Sequence, residues 1–219
     1  MPVRRRISVV ALLCSLPAAG RAQMPAGWVQ WGPDSAHHTI RLDRQTMASG
    51  AASLTIVGDS SGPADGWLGA RQFVAASAFA GHRVRILAKL KTRDATDAVL
   101  YGKVEGFAGD TVVRWFYDAM NDRDRKGTTD WAEESIVLDV PREATRFVFG
   151  SLLNGSGQMW VDDFSISLVD GPEKSTATDV AYFFPPNEWA STRALWAKDV
   201  LLPAPRNLGF EEAVSTSRD

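Results

Sequence analysis

The stretch Trp160-Val161-Asp162-Asp163-Phe164-Ser165-Ile166-Ser167-Leu168 decides the fold of this chain. Side chains alternate between two faces along a β-strand. Trp160, Asp162, Phe164, Ile166 and Leu168 fall on one face, which is apolar except for Asp162. We therefore predict a strand that closes a sandwich of two β-sheets, with this face inward. An inward carboxylate must be hydrogen-bonded, paired or bound to a metal, so Asp162 also raises a chemical question.

Other apolar runs repeat this strand pattern along the chain. Turn residues separate them at roughly ten-residue spacing, which is typical of all-β sandwiches and barrels. The runs 97–107 and 111–117 are joined by Ala108-Gly109-Asp110, which indicates a hairpin. The residues predicted to be buried are Val84, Ile86, Ala88, Leu90, Phe147, Phe149, Phe164 and Ile166.

A helical pattern is predicted only near the C-terminus. Asp170 to Thr178 is typical of a linker, and Asn187 to Lys198 predicts one short helix with Asn187 as its N-cap. The predicted fold class is all-β, a two-sheet sandwich with a C-terminal extension that contains this helix.

Residues 1–22 have the three parts of a secretory signal peptide: a cluster of arginines, an apolar run and small residues before the cleavage site. The domain prediction is a signal peptide over 1–22, the sandwich over 23–169 and the extension over 170–219. We therefore expect an exported protein, periplasmic or secreted, with no membrane span.

Cysteine content indicates how the chain is stabilised, and net charge limits the classes of partner that it is expected to bind. The 219 residues carry a net charge of −2, and the segment 1–22 holds four arginines and the single cysteine. The remaining chain is acidic and contains no disulfide, so a hydrophobic core must stabilise it. An acidic chain without a basic run argues against nucleic acid or an anionic membrane as partner.

Four stretches carry a resemblance to a known class of modules. They are Gly81 to Thr92, Gly127-Thr128-Thr129-Asp130-Trp131, Val140-Pro141, and Trp160 to Phe164. Together they resemble jelly-roll carbohydrate-binding modules of the galactose-binding-like class, found in exported bacterial proteins. This resemblance covers most of residues 27–169, and it implies a jelly-roll sandwich and a glycan or cell-envelope ligand.

The tail Asn207-Leu208-Gly209-Phe210-Glu211 is similar to the segment that usually opens such a module, but here it stands at the C-terminal end. One interpretation is a circular permutation, in which residues 207–212 supply the first strand of the sandwich. The other is the remnant of a second module. The permuted arrangement predicts that Leu208 and Phe210 are at least partly buried near Trp28.

In such modules a structural calcium often lies between the opening and closing strands. The resemblance therefore implies calcium at Asp162, Asp163 and Glu211. The alternative is a set of carboxylates satisfied by backbone amides and an arginine.

Flat aromatic rings next to hydrogen-bonding groups are typical of sugar-binding sites. The candidate ligand-binding residues are Trp115, Tyr117, Asp118, Asn121 and Arg123, at one strand end and its loop. The alternative places Trp115 in the core, where most tryptophans of a sandwich lie.

The run Gly58-Asp59-Ser60-Ser61-Gly62 matches a nucleophile-elbow pattern, but such a serine needs a helix directly after it. Pro63 follows here, and the histidine pair His37-His38 is predicted to lie on the surface. We therefore predict a non-catalytic binding module. The alternatives are a structural or protein-interaction domain that binds no sugar and, third, a hydrolase.

Overall fold

The computed structural model describes residues 24–212. They form two antiparallel β-sheets that pack face to face around one core, as predicted. Sheet A contains, in spatial order, β2 (His38–Asp43), β3 (Ser53–Gly58), β9 (Gly157–Leu168), the first half of β5 (His82–Ala108) and β7 (Arg125–Val140). Sheet B contains β1 (Val29–Trp31), β4 (Trp67–Ala75), β8 (Ala144–Asn154), the second half of β5, β6 (Thr111–Asp118) and β10 (Asp179–Phe183). This architecture confirms the all-β jelly-roll sandwich.

Strand β5 joins the two sheets because its 27 residues belong to both. Residues 84–93 pair with β9, residues 82–98 pair with β7, and residues 97–108 pair with β6 and β8. Asp94 lies between the halves with a positive φ of 50°, where the strand passes from one sheet to the other. The sequence predicted two separate strands here, because the residues between them are polar.

Seven of the eight predicted core residues are buried, and Ile166 is half-buried against the core. In the first half of β5 the buried residues alternate with half-exposed ones, as their apolar and polar pattern predicts. Hydrophobic burial of this kind contributes about 25 cal/mol per Å² of apolar surface.

The predicted facing of β9 is wrong over its first part. A register shift between Leu87 and Lys89 inserts a bulge at Asp163 and Phe164, which together face Ala88, and Asp163 has a positive φ of 51°. A β-bulge places one extra residue in a strand and so reverses the alternation of faces beyond it. Residues an odd number of positions apart then share a face when the bulge lies between them. Met159 and Val161 therefore point inward together with Phe164, while Trp160 and Asp162 lie on the outer face of sheet A.

The helix α1 (Pro186–Trp196) confirms the short C-terminal helix. Its N-cap is Pro185, which makes no side-chain cap hydrogen bond, so the predicted N-cap at Asn187 is wrong. Strand β10 lies within the extension and pairs with β6, although the sequence pattern did not predict it.

The C-terminal tail packs into the sandwich. Phe210 is fully buried with its ring centroid 4.9 Å from that of Trp28, and Leu208 is half-buried. The Phe164 amide donates to the Leu208 carbonyl oxygen at 3.0 Å, and the Trp28 indole donates to the Asn207 carbonyl oxygen at 3.1 Å. Residues 207–212 make these contacts as a turn rather than as a strand.

None of the helical segments in residues 24–212 has the length and apolar character that crossing a membrane requires. The predicted signal peptide, residues 1–22, lies outside the described residues.

Candidate functional site

The outer face of sheet B, away from the core, carries an aromatic groove. Its cavity volume is about 360 Å³. The lining residues are Trp31, Trp67, Val99, Tyr117, Ala119, Asn121, Leu152 and Asn154. Val99 and Leu152 belong to neighbouring strands and give the groove an apolar floor. We name this feature the sheet B groove.

Alternation along β4 brings the groove residues together. Trp67, Gly69 and Arg71 face outward, and the residues between them, Leu68 and Ala70, are fully buried in the core. Gly69 pairs with Trp31 on one side and with Leu152 on the other. A Cβ atom at Gly69 would lie 2.8 Å from the Leu152 Cβ, so glycine is required where β4 and β8 approach closely.

Two tryptophans form one wall of the groove. The ring centroids of Trp31 and Trp67 are 4.3 Å apart, with the planes inclined by 64°. Trp31 also packs on Tyr101, at 4.9 Å between centroids. Both tryptophans are half-buried. Edge-to-face packing of this kind holds aromatic rings in fixed orientations, so the wall is preorganised.

Polar side chains stand around these rings. Asn121 is exposed, and Asn154 is half-buried and donates through its amide nitrogen to the Asp97 carboxylate at 2.7 Å. A groove with aromatic walls, an apolar floor and a few polar groups is the usual form of a small-molecule site.

A buried ionic cluster adjoins the groove on the same face. Lys103 pairs with Glu105 at 2.7 Å, and Glu105 pairs with Arg146 at 3.2 Å. Arg146 also reaches Asp199 of the C-terminal extension at 2.6 Å. Burial lowers the pKa of Lys103, and the neighbouring Glu105 carboxylate opposes that effect. Burial also raises the pKa of the Tyr101 phenol far above its ordinary value.

The extension covers the end of this face that is remote from the groove. The Arg146 guanidinium lies 4.7 Å from the centroid of the Trp196 ring, at the end of α1. Trp196 also packs on Phe107, with centroids 5.6 Å apart. The open part of the face is therefore the groove.

The structure brings two of the five predicted ligand residues, Tyr117 and Asn121, to the groove. Asp118 is fully buried and accepts hydrogen bonds from Arg123 at 2.5 Å and from the Met120 amide at 2.8 Å. Asp118 and Arg123 thus form a structural pair that fixes the loop next to the groove.

Trp115 lies at a bulge, because the register of β5 and β6 shifts between Val104 and Glu105. Its ring is half-buried, 6.4 Å from that of Phe183 in β10. It packs beside the core and does not line the groove.

The three predicted calcium ligands all contact the loop 46–51. The Asp162 carboxylate accepts from the amides of Ala48 at 2.9 Å and of Ser49 at 3.3 Å. Asp163 accepts from the Ser49 hydroxyl at 2.5 Å and from Lys89 at 3.0 Å, and Glu211 accepts from the Ala51 amide at 2.9 Å.

Backbone amides and Lys89 thus occupy carboxylate oxygens that a cation would need. Within residues 24–212, no group of three or more His, Cys, Asp or Glu side chains converges as metal ligands. The arrangement matches the amide-bonded alternative, with a lysine in place of the arginine. Calcium at this loop stays a prediction.

His37 and His38 both contact Asp34, at 2.8 Å and 3.2 Å. His38 is buried and also bonds to the Gly155 carbonyl oxygen at 2.8 Å, so the predicted surface pair is wrong for His38. Ser60 is exposed, and the structure shows no hydrogen bond between it and His37 or His38. These histidines hold a loop in place.

The sequence did not identify Trp31 and Trp67 as groove residues, or Arg71 as the cation that stacks on Trp31. Their approach depends on the pairing of β1 with β4. A short aromatic strand bounded by glycines was the available signal, and it did not reveal the partner strand.

We compared the chain with known proteins. No family model matches it. A Bacillus subtilis (strain 168) protein described as an uncharacterized HTH-type transcriptional regulator, YbfP, is 30% identical over 187 residues, which is 85% of this chain and 57% of that protein. The chain thus spans less than two thirds of this relative. A helix-turn-helix needs two helices, and residues 24–212 contain one α-helix, so the likeness assigns no DNA-binding role.

Solved structures similar to the chain include several carbohydrate-binding modules. The C-terminal family 22 module of Clostridium thermocellum Xyn10B is 17% identical, with a TM-score of 0.47, over 65% of this chain and 86% of that one. The xylan-binding family 22 module of Paenibacillus barcinonensis Xyn10C is 16% identical, with a TM-score of 0.48, over 70% and 100%. TmCBM61, solved with β-1,4-galactotriose, is 13% identical, with a TM-score of 0.45, over 66% and 90%. Likeness at this level assigns no ligand to this chain.

Proposed function

We propose that this chain is an exported, non-catalytic binding module that holds a glycan in the sheet B groove. The observation that carries the proposal is the groove itself, in which the rings of Trp31, Trp67 and Tyr117 stand around an apolar floor beside two asparagine amides. The apolar face of a pyranose packs on such rings, and its hydroxyl groups bond to amides at the rim.

A second feature supports binding rather than catalysis. The rim amides of Asn121 and Asn154 are neither nucleophiles nor general bases, and the adjacent Asp97 carboxylate accepts a hydrogen bond from Asn154 at 2.7 Å. The nearby carboxylate Asp118 is committed to Arg123 and Thr176.

The test is affinity electrophoresis of the mature chain through gels that contain single soluble polysaccharides. We expect retardation on at least one of them, and we expect Trp67→Ala and Asn121→Ala to weaken it. The matched control is Trp131→Ala, which removes a half-exposed tryptophan from β7 in sheet A. Thermal unfolding of each variant checks that the fold persists.

Two outcomes would contradict the proposal. One is free migration of the wild-type chain on every polysaccharide. The other is loss of retardation in Trp131→Ala alone, which would move the binding site to sheet A.

A protein-interaction domain is the second candidate, and the C-terminal extension favours it. Several of its apolar side chains are exposed: Val180, Tyr182, Phe183, Leu195, Val200 and Leu201. Contiguous exposed apolar surface often marks a contact with another protein. Substituting Phe183 and Val200 with serine distinguishes the candidates, because it leaves the sheet B groove intact.

Export is a separate part of the proposal. Expression of the full chain in a bacterial host with a periplasm, followed by mass measurement, tests it. We expect a periplasmic product that begins at Gln23. A full-length product in the cytoplasm would contradict export.

A further inference from the structure

Arg71, next to the Trp31 wall of the sheet B groove, has no carboxylate partner among the described residues 24–212. Arg71 extends from β4 on the groove face, two residues beyond Gly69. Its guanidinium lies 4.7 Å from the centroid of the Trp31 ring and 4.4 Å from that of Phe73. Within the described part of the chain Arg71 makes no ion pair, and its Nε is buried without a hydrogen-bond partner. Arg71 as a whole is half-exposed, and its Nε is a buried donor that a polar partner would satisfy.

The charges near Arg71 make an anionic partner for it more favourable. The ionic cluster holds two cations, Lys103 and Arg146, and two anions, Glu105 and Asp199, which are already paired with one another. Arg71 adds a positive charge that this cluster does not neutralise. Arg71 and Arg146 both act to lower the pKa of Lys103, so the cations are close enough to repel one another. An anion beside Arg71 would relieve that repulsion.

The strand pairing directs Arg71 toward the groove floor. Its partner on β8 is Gly150, whose partner on β5 is Tyr101. Gly150 has no side chain, and a Cβ there would lie 2.9 Å from the Arg71 Cα. The Tyr101 hydroxyl is buried beside the Arg71 side chain, whose charge and hydrogen bonding oppose the rise in the Tyr101 pKa that burial causes. Arg71, Tyr101 and the Trp31 ring therefore meet at one end of the groove.

We propose that the ligand of the sheet B groove is an acidic glycan, and that Arg71 pairs with the carboxylate of a uronic acid residue. This inference rests on the proposed function. A guanidinium bonds to both oxygens of a carboxylate in one plane. Trp31 and Phe73 stack on the guanidinium and hold it in place, so little conformational freedom is lost on binding. The rings of Trp31, Trp67 and Tyr117 then contact the adjoining sugars.

The experiment compares polysaccharides that differ mainly in the carboxylate. Polygalacturonate is paired with its methyl ester, and glucuronoxylan with arabinoxylan. Dissociation constants come from affinity electrophoresis with each polymer in the gel, at low and at physiological salt. We expect the acidic member of at least one pair to bind about tenfold more tightly, with the difference reduced by salt.

Variants of Arg71 assign the effect to this side chain. Arg71→Met removes the charge and should bring the acidic polymer to the affinity of its neutral partner. Arg71→Lys keeps the charge without the planar fork and should retain part of the preference. The control is Arg93→Met, because Arg93 also stacks on a tryptophan, 5.6 Å from the centroid of Trp160, but on sheet A. Arg93→Met should retain the full preference.

The possible results test glycan binding and the preference for acidic glycans separately. If no polymer retards the chain, both the proposed function and this inference fail. Equal binding of acidic and neutral polymers would overturn the inference and leave the glycan-binding function standing. So would equal losses in Arg71→Met and Arg93→Met. Equally tight binding of dextran sulfate that both variants weaken alike would indicate general attraction of polyanions, and would also overturn it.

Discussion

The two halves of strand β5 bury their side chains in different ways. In residues 82–93 the inward side chains are buried and the outward ones are half-exposed, in near-strict alternation. Outward residues such as Lys89 and Lys91 pair with surface carboxylates, Asp163 and Asp130. In residues 97–108 side chains on both faces are buried.

The difference shows what covers each outer face. Sheet A exposes much of its outer face to solvent, so its polar side chains remain at the surface. Sheet B is covered at one end by α1 and residues 197–202, and its other end forms the groove. A strand buried on both faces loses the polar and apolar alternation. Ionic groups that lie there, such as Glu105, must be paired within the protein.

The largest loss of stability is expected from removing a buried charge in the second half of β5. Glu105→Ala leaves Lys103 without its carboxylate, and we expect a loss of about 3–5 kcal/mol in the free energy of unfolding. The matched substitution is Asp130→Ala, which removes the exposed partner of Lys91 in the first half of β5 and should change the free energy of unfolding far less. Urea denaturation of both variants measures the difference. Equal losses would show that the two faces are covered alike.

This comparison also shows how far the sequence predicts the fold. The first half of β5 was predicted correctly because its period of two is visible in the sequence. The turn at Gly109 and Asp110 was predicted because glycine and aspartate favour it. The facing of Trp160 was wrong because a bulge depends on pairing between distant strands, which a single strand's sequence does not show.

The groove was only partly predictable for the same reason. Tyr117 and Asn121 were identified as polar and aromatic neighbours in sequence. Trp31 and Trp67 lie far apart along the chain, and their approach depends on the pairing of β1 with β4. Arg71 was indistinguishable from any other arginine in a strand until the structure showed that it makes no ion pair with the described residues 24–212.

The next largest loss of stability is expected in the tail, residues 207–212, which packs on Trp28 and Phe164. Phe210→Ala removes a fully buried ring that packs on Trp28 and Phe164, and should cost about 3 kcal/mol. This is the low end for such a substitution, because residues 207–212 form a turn that can relax into the space. Val200→Ala, at an exposed position, should leave the melting temperature unchanged. Equal melting of wild type and Phe210→Ala would mean that the tail is dispensable.

Calcium bound at the loop 46–51, which covers part of the outer face of sheet A, would further stabilise the fold. If Asp162, Asp163 and Glu211 hold calcium, an excess of about 100 times its dissociation constant stabilises the fold by about 2.7 kcal/mol. The melting temperature would then rise with calcium and fall with a chelator. Glu211→Gln should remove that response. A melting temperature that neither reagent changes would refute the calcium site.

The smallest effect is a pH dependence at the same loop. Burial raises the pKa of Asp162, and the hydrogen bonds from Asp163, Ala48 and Ser49 only partly offset it. A carboxyl group whose pKa is higher in the folded chain binds protons more tightly there. The stability it contributes is therefore lost as the pH rises from the unfolded value, near 3.8, through the folded one.

Asp162→Asn tests this assignment in two ways. Asparagine has one acceptor oxygen, so at least one backbone amide loses its partner, and the free energy of unfolding should fall by about 1–3 kcal/mol. The variant has no titrating group at this position, so its stability should decline less between pH 4 and pH 6 than that of the wild type. Asp97→Asn is the control, because burial also raises the pKa of Asp97, which lies at the start of the second half of β5. If only Asp97→Asn reduces the decline in stability between pH 4 and pH 6, the pH dependence arises from Asp97 beside the groove. The surrounding amides would then keep Asp162 ionised over that range.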